Sequence, residues 1–471
     1  MRTFRQRLTG HATRLLLVSF LAAPAAQATE PPATAQPLTQ AQAETIFDYA
    51  YPLVVMKKSQ DVMFTVPFRE RSVPNHFIHF KRLAQPQNRA VVLGNRNTLY
   101  SVGWVDLSKG PVVFEIPDMG DRYYVMPLID AWTNTFKSIG SRTTGQDAQK
   151  YFLVNQAWSG DVPEGYEKVV SPTNMVWITG RIQADSPQDA AAVGKLQDAY
   201  VLMTYAQAQG GDDPFADYVP AYEATKVGKP IPYSLRMPAN AYFDGFLDVW
   251  ADNASPADDA DMVALLASIG MTPDADISFE DLDPQVQETL ASGAAAKQAA
   301  YVKAFYEGTK QDGSWIFNVE RMGTWGTDYG RRAYWAMWGL GANLVEDAVY
   351  AVSQLDADGE PLNGNSIYRL HFEADDLPPT SAFWSVTLYD EEGYLEANEH
   401  NRYSLGSQHK PVTNEDGSVD IVLSRAAPED GANWVPTPKG NFKTLLRIYW
   451  PGDDVLGGDW TPPPLTRDTS S

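Results

Sequence analysis

From Ala90 onward the chain proceeds in short runs of β-branched and aromatic residues, each closed by Gly, Pro, Asp or Asn: VVLGN, TLYSVGWVDL, PVVFEIP, RYYVMPLIDAW, KYFLVN and NMVWITGRI. Runs rich in β-branched and aromatic residues pack well as pleated strands, and the turn residues between them return the chain on itself. The rhythm restricts this half to an antiparallel sandwich or barrel. It resumes at Ala348 in AVYAVSQLD, SIYRLHF, AFWSVTLYD, SVDIVLS and KTLLRIYW. In SIYRLHF, alternation puts Tyr368, Leu370 and Phe372 on one face, the expected core, and Ile367, Arg369 and His371 on the other.

Between the two halves the pattern becomes helical. ADDADMVALLASIG and DPQVQETLASGAAAKQAAYVKAFYEG carry helical spacing, the second entered through a capping-box-like Ser278-Phe-Glu-Asp281. A further helix is expected through DYGRRAYWAMWGL, with Tyr334, Trp335 and Trp338 as a core stripe. Another follows Ser186 through the run ending in YVLM, and one begins near Gln40 with Thr39 as its cap and Pro52 near its end. The organisation expected is a signal peptide at 1–28, a disordered lead-in at 29–39, an N-terminal β domain at 40–205, an irregular and helical region at 206–345, a C-terminal β domain at 346–458 and a tail at 459–471.

The first 28 residues hold Arg2, Arg5, Arg7 and Arg14 with no acid, then the apolar LLLVSFLAAPAA and the small-residue close Ala26-Gln27-Ala28. That is the pattern of a cleavable secretory signal, too short to span a bilayer, so a periplasmic or secreted protein is expected, cut after Ala28, with no transmembrane segment left after cleavage. The net charge of −22 repels phosphate backbones and argues against nucleic acid as a partner. There is no cysteine, which excludes disulfides, thiol catalysis and thiolate metal sites, so stability must come from the core.

No Gly-x-Ser-x-Gly elbow, phosphate-cradling glycine loop or His-Glu-x-x-His helix is present, no metal site or cofactor is predicted, and whether the chain is an enzyme is left open. Candidate ligand contacts come from residue chemistry at strand ends. After the strand that holds Trp384, Asp390 opens a turn, and Asn398, His400, Asn401, Arg402 and Tyr403 follow without an apolar period. Arg402 offers a planar fork to a carboxylate or hydroxyl-rich ligand, or else pairs with an acid such as Asp390 to pin the loop. The candidates are His371, Trp384, Asp390, Asn398, Arg402 and Tyr403, with Asp130 and Arg142 in the first β domain. The offsets from Tyr123-Tyr124 to Leu128 and Asp130 repeat from Phe383-Trp384 to Leu388 and Asp390, which suggests a duplicated sandwich.

NTLYSVGWVDLSKGPVVFEIPDMGDRYYVMPLIDAWTN followed by GSRTTG resembles domain of unknown function 1254, and YRLHFEADDLPPTSAFWSVTLYDEEGYLEANEHNRYSLG, with NEDGSVDIVLS and NWVPTPKGNFKTLLRIYWP, resembles domain of unknown function 1214. The resemblance implies a mainly β protein of two antiparallel jelly-roll-like β-sandwich domains plus a helical region between them. It supplies no established activity. The family commonly has Asp where Asn97 stands and Pro where Glu399 stands, and no catalytic role is carried over. The first expectation is an exported protein that binds or processes a glycan or another hydroxyl-rich small molecule of the envelope. The alternatives are a non-catalytic structural or interaction protein, with a homo-oligomer left open, and a metal-dependent oxidoreductase using the histidines.

Overall fold

Each strand of a sandwich turns one row of side chains into the core and leaves the other free to meet a neighbour, and both halves of this chain are built on that division. The structure, a computed structural model, describes residues 37–65, 72–89, 91–220, 226–274, 276–307, 314–429 and 431–468. The expected signal peptide and nearly all of the lead-in lie outside them.

In the first half, β1 (Phe77–Phe80), β2 (Thr98–Asp106), β3 (Val112–Ile116), β4 (Tyr124–Asp130), β5 (Thr135–Gly140), β6 (Gln149–Asn155), β7 (Glu167–Ser171), β8 (Met175–Gln183) and β9 (Val201–Thr204) form two sheets. Their orders are β1-β2-β8-β4-β5 and β7-β6-β3-β9. In the second half, β10 (Ile316–Phe317), β11 (Ala348–Ser353), β12 (Tyr368–Phe372), β13 (Thr380–Asp390), β14 (Ser404–Gly406), β15 (Val419–Ser424), β16 (Trp434–Pro436), β17 (Phe442–Pro451) and β18 (Leu465–Arg467) form two more. Their orders are β10-β11-β17-β13-β14 and β16-β15-β12-β18, the first pair of orders moved on by nine strands. The pairing is antiparallel except between β6 and β7 and between their counterparts β15 and β16, which run parallel.

The duplication holds residue by residue. Tyr100 lies opposite Arg181 across β2 and β8, as Tyr350 lies opposite Arg447 across β11 and β17. Val125 faces Gly140, and Ser385 faces Gly406. Tyr124 N donates to Ser141 Oγ at 3.0 Å, and Trp384 N to Ser407 Oγ at 3.1 Å. The repeated offsets around Tyr123 and Phe383 therefore mark a real structural repeat.

The cores follow from alternation. Leu99, Tyr124, Met126, Leu128, Ile178 and Ile182 fill the first sandwich, and Tyr368, Leu370, Phe372, Trp384, Val386 and Leu446 fill the second. The opposite row of β13, Phe383, Ser385, Thr387 and Tyr389, is buried as well. Phe383 packs with Tyr449 of its own domain and with Tyr123 and Val125 of the first, so the two five-stranded sheets meet face to face.

The helices are α1 (Gln40–Thr65), α2 (Asp189–Asp198), α3 (Tyr205–Ala208), α4 (Pro230–Ser234), α5 (Ala239–Trp250), α6 (Ala260–Ser268), α7 (Pro284–Glu307), α8 (Tyr329–Trp338) and α9 (Asp453–Gly457). Thr39 caps α1 by accepting from Gln42 N at 3.2 Å. The helix does not end near Pro52 as expected. Ile46 to Met56 are buried all round among α5, α7 and α8, and that burial outweighs the one backbone hydrogen bond a proline removes. Trp104, Ile129, Trp132 and Met175 of the first domain pack beneath this layer. No helix among the described residues is long and apolar enough to cross a membrane.

Other expectations are corrected. VVLGN is not a strand: residues 91–95 are a loop, with Val91 and Val92 exposed and Leu93 at φ 53°. The expected helix after Ser186 stops at Asp198, and its YVLM end becomes β9. The capping box at Ser278 closes a short 3-10 turn, Phe279–Asp281, before α7 begins. The proline-rich tail does not trail, because β18 pairs with β12.

Candidate functional site

The seam between the facing sheets holds two arginines that the sequence reading passed over. Arg181 is 8% exposed and Arg447 2%. Each projects from the middle strand of its five-stranded sheet, and each reaches into the other domain's side of the seam. Arg181 donates to Asn343 Oδ1 at 2.8 Å, to Thr179 O at 2.8 Å and to Gly341 O at 3.1 Å. Arg447 donates to Leu93 O at 2.7 Å, to Tyr389 Oη at 2.8 Å and to Thr387 Oγ1 at 3.2 Å. Leu93 stands to Tyr100 as Asn343 stands to Tyr350, so the two reaches are related by the repeat. The loop that stands where the VVLGN strand was expected supplies that carbonyl.

Phenols surround the guanidiniums. Arg181 lies over the Tyr100 ring at 5.4 Å, and Arg447 over the Tyr389 ring at 5.8 Å. Asn343 donates to Tyr350 Oη at 3.0 Å, Asn95 bonds Tyr449 Oη, and Tyr389 Oη donates to Gly94 O at 2.7 Å. Among the described residues, neither arginine pairs with a carboxylate. Burial pushes the Tyr350, Tyr389 and Tyr449 hydroxyls up. Burial acts in the same direction on Tyr100, but Arg181 and then Arg447 outweigh it and hold that phenol below its usual range. Tyr100 and Tyr350 are half-buried.

One edge of the seam is fixed by an ion pair. Arg142 Nε donates to Asp347 Oδ1 at 2.7 Å, Ser138 Oγ bonds the other carboxylate oxygen, and Tyr123 Oη donates to Asp347 O at 2.8 Å. Asp347 is 1% exposed. It therefore ties the start of the second sandwich to the loop after β5 of the first.

The eight residues singled out from sequence are not brought together. Arg142 and Tyr403 reach the seam, Tyr403 through the cluster of Tyr389, Leu395 and Leu445 and with Arg96 over its ring at 5.0 Å. Trp384 is buried in the second core against Phe372. Asp390 and Asp130 each hold their own hairpin, accepting from Tyr394 N at 2.7 Å and Asn134 N at 2.8 Å. Burial pushes the Asp130 carboxyl up to about 6, against the pull of the Asn134 hydrogen bonds and Arg332. Asn398 folds its loop by accepting from His400 N and Arg402 N, and Arg402 donates to Ala432 O at 3.0 Å instead of pairing with Asp390. His371 sits on the outer face of β12 with Asp420 at 2.9 Å. Arg181 and Arg447 carried one legible signal: a lone cation inside an apolar strand, in ITGRI and LLRIYW.

Two sandwiches of one topology, joined through a buried arginine and tyrosine seam and braced by a helical layer, define a duplicated β protein. Two segments match family models: residues 74–204 match "Protein of unknown function (DUF1254)" and residues 347–453 match "Protein of unknown function (DUF1214)". The two matches fall one on each β domain. The fold of the chain is that of the VPA0106 protein from Vibrio parahaemolyticus, which is 23% identical, with a TM-score of 0.69 over 91% of this chain and 100% of that one. A putative uncharacterized protein from Burkholderia cenocepacia aligns at 10% identity and a TM-score of 0.40, over 90% of this chain and 87% of that one. No curated protein matches the chain.

Proposed function

We propose that the chain is an exported small-molecule-binding protein whose ligand carries a carboxylate or phosphate, received between Arg181 and Arg447 in the seam. The observation that supports this reading is the pair of buried guanidiniums with no acid partner among the described residues. A buried charge without a counter-charge costs several kcal/mol, and hydrogen bonds to carbonyls offset only part of it. An oxyanion supplies the missing charge, and its geometry matches the guanidinium fork. The half-buried phenols of Tyr100 and Tyr350 offer aromatic surface and hydroxyls to the remainder of the ligand, so a sugar acid satisfies both this chemistry and the hydroxyl-rich class read from sequence.

The test is a thermal-shift screen of the purified protein against small carboxylates and phosphates at constant ionic strength. At least one should raise the midpoint of the wild type, and Arg447→Met should lose that shift while keeping its fold. A wild type that responds to none, or an Arg447→Met variant that keeps the full shift, would remove the seam from consideration. Export has its own check. Protein recovered from the periplasm of an expressing cell should begin at Thr29, and a retained Met1 would count against it.

A further inference from the structure

We infer that Asn97, Ser385 and Gln408 form an uncharged subsite at one edge of the arginine seam, which takes a hydroxyl or carboxamide group of the ligand. This rests on the oxyanion reading of the seam and goes on to name the rest of the molecule bound there.

The repeat relates the two edges of the seam. The register that matches Tyr100 to Tyr350 matches Asn97 to Asp347, and the backbone agrees: Ala184 N donates to Asn97 O at 2.9 Å, as Trp450 N donates to Asp347 O at 2.9 Å. The register that matches Gly140 to Gly406 carries Arg142 onto Gln408. At one edge, then, Arg142 of the first domain pairs with Asp347 of the second. At the other edge the same two positions hold Gln408 of the second domain and Asn97 of the first. The cation and the anion are both replaced by amides.

These amides are not spent on the protein. Asn97 is 0% exposed, and both its Oδ1 and its Nδ2 lack a hydrogen-bond partner among the described residues. Gln408 Oε1 and Nε2 are buried in the same state, as is Ser385 Oγ. A Cβ on Gly406 would lie 2.6 Å from Gln408 Oε1, and Gly406 is the residue opposite Ser385. The Gln408 amide therefore lies over β14 next to Ser385, on the face that meets the first domain. Each unmet polar group costs about 1–3 kcal/mol, and these three residues, which the repeat assigns to one edge, hold five such atoms. Asn97 stands three residues before Tyr100, immediately ahead of β2, so its amide lies at the end of the strand that carries Tyr100 into the seam. A short carboxylate with hydroxyls along its chain would set its acid at the arginines and its hydroxyls at the amides. The free atoms include donors and acceptors and no charge, which selects hydroxyl or carboxamide over a second acid.

The experiment compares two six-carbon carboxylates, gluconate and hexanoate, by calorimetric titration of the purified protein. Gluconate should bind the wild type at least tenfold more tightly. Asn97→Leu, which keeps the shape and removes the amide, should bring gluconate to within about twofold of hexanoate and leave hexanoate unchanged. Asn97→Asp combined with Gln408→Arg, which installs the ion pair of the opposite edge, should also abolish the preference, and it serves if the leucine variant does not fold. Equal binding of the two compounds to the wild type overturns the subsite while the arginine site stands. So does a preference that survives both variants, because the hydroxyls are then held elsewhere. If neither compound binds, the arginine seam is not a carboxylate site and the subsite falls with it.

Discussion

Arg181 and Arg447 occupy the same position in two sandwiches of one topology, and each reaches across the seam to the segment preceding the other domain's second strand, Asn343 Oδ1 at 2.8 Å and Leu93 O at 2.7 Å. A repeat whose halves exchange equivalent contacts makes a face-to-face interface self-complementary, as in an isologous dimer. The two domains are in effect a dimer within one chain, and the linking helices brace one side of it.

That symmetry is broken where Arg142 meets Asp347, and the break is measurable. Asp347 is buried, so Arg142→Met leaves its carboxylate with Ser138 as its one side-chain partner among the described residues. Because the Arg142 side chain is 24% exposed, the loss should be moderated by solvent to about 2 kcal/mol. Urea unfolding followed by tryptophan fluorescence should show that loss, with the two sandwiches separating into distinct transitions. An unchanged midpoint would mean that the pair is worth nothing net.

Asp130 sets a pH dependence. Its carboxyl is 3% exposed and is pushed up to about 6 by burial. A carboxyl whose folded pKa lies above its unfolded value contributes stability that is fully present below about pH 4 and is lost as pH rises through about 6. A shift of this size corresponds to a loss of up to about 3 kcal/mol across that window. Asp130→Asn keeps an acceptor for Asn134 N and removes the titration. Stability measured from pH 4 to 7 should therefore fall in the wild type by more than in the variant, and parallel curves would refute the assignment.

His371 titrates the other way round in charge. Its ring is held by Asp420 at 2.9 Å, and that hydrogen bond raises its pKa above the ordinary histidine value. The stabilisation is present below the unfolded pKa and lost as pH rises through the folded one, and at 40% exposure solvent screens most of it. An NMR titration should place the His371 midpoint above that of a free histidine and return it toward that value in Asp420→Asn. No change between the two would remove Asp420 as the cause.

What sequence could and could not yield follows from the range of the forces involved. Strands such as Tyr368–Phe372 and Thr380–Asp390 were legible because alternation and β-branched residues are local. Pro52 misled because the burial that carries α1 past it comes from helices some two hundred residues away in the chain. VVLGN has strand composition, yet the carbonyl of Leu93 is claimed by Arg447, a partner no local window contains. The same range separates the candidate residues. Asp390 and Asn398 stand at turns and their bonds are local, and His371 bonds to Asp420 of the neighbouring strand, whereas Arg181 and Arg447 lie mid-strand and gain meaning only when two sheets meet. The eight-position echo around Tyr123 and Phe383 was the one long-range signal available, and the strand orders bear it out.

The helical layer depends on a different ion pair. Arg332 bonds Asp259 at 2.8 and 3.1 Å with both side chains fully buried, and its guanidinium lies 5.3 Å from the Tyr329 ring and 5.8 Å from that of Trp132. Arg332→Met should cost about 3–5 kcal/mol by stranding the acid, and adding Asp259→Leu should recover most of it, because paired removal also removes the desolvation cost. A double variant as unstable as the single one would show that packing around the pair, and not its charge, is what matters.

The proline-rich segment after Gly458 belongs to the second sandwich. Its β18 pairs with β12, Leu370 opposite Leu465 and Tyr368 opposite Arg467. Leu465 is fully buried and Trp460 nearly so, and both sit in the second core. Trp460 Nε1 donates to Asp376 O at 3.2 Å, and Arg467 meets the buried Asp356 at 2.9 Å. Ending the chain after Gly458 exposes two large apolar sites, opens the edge of β12 and strands Asp356. At about 1.5–3 kcal/mol for each apolar side chain, together with the lost pair, the cost should be about 5 kcal/mol. That approaches the whole stability of an ordinary domain. The truncated protein should therefore show a C-terminal sandwich open to proteolysis between Ala348 and Pro451, with the first sandwich left resistant. A truncated chain that unfolds at the wild-type urea midpoint would show that the tail only lies on the sheet and does not hold it.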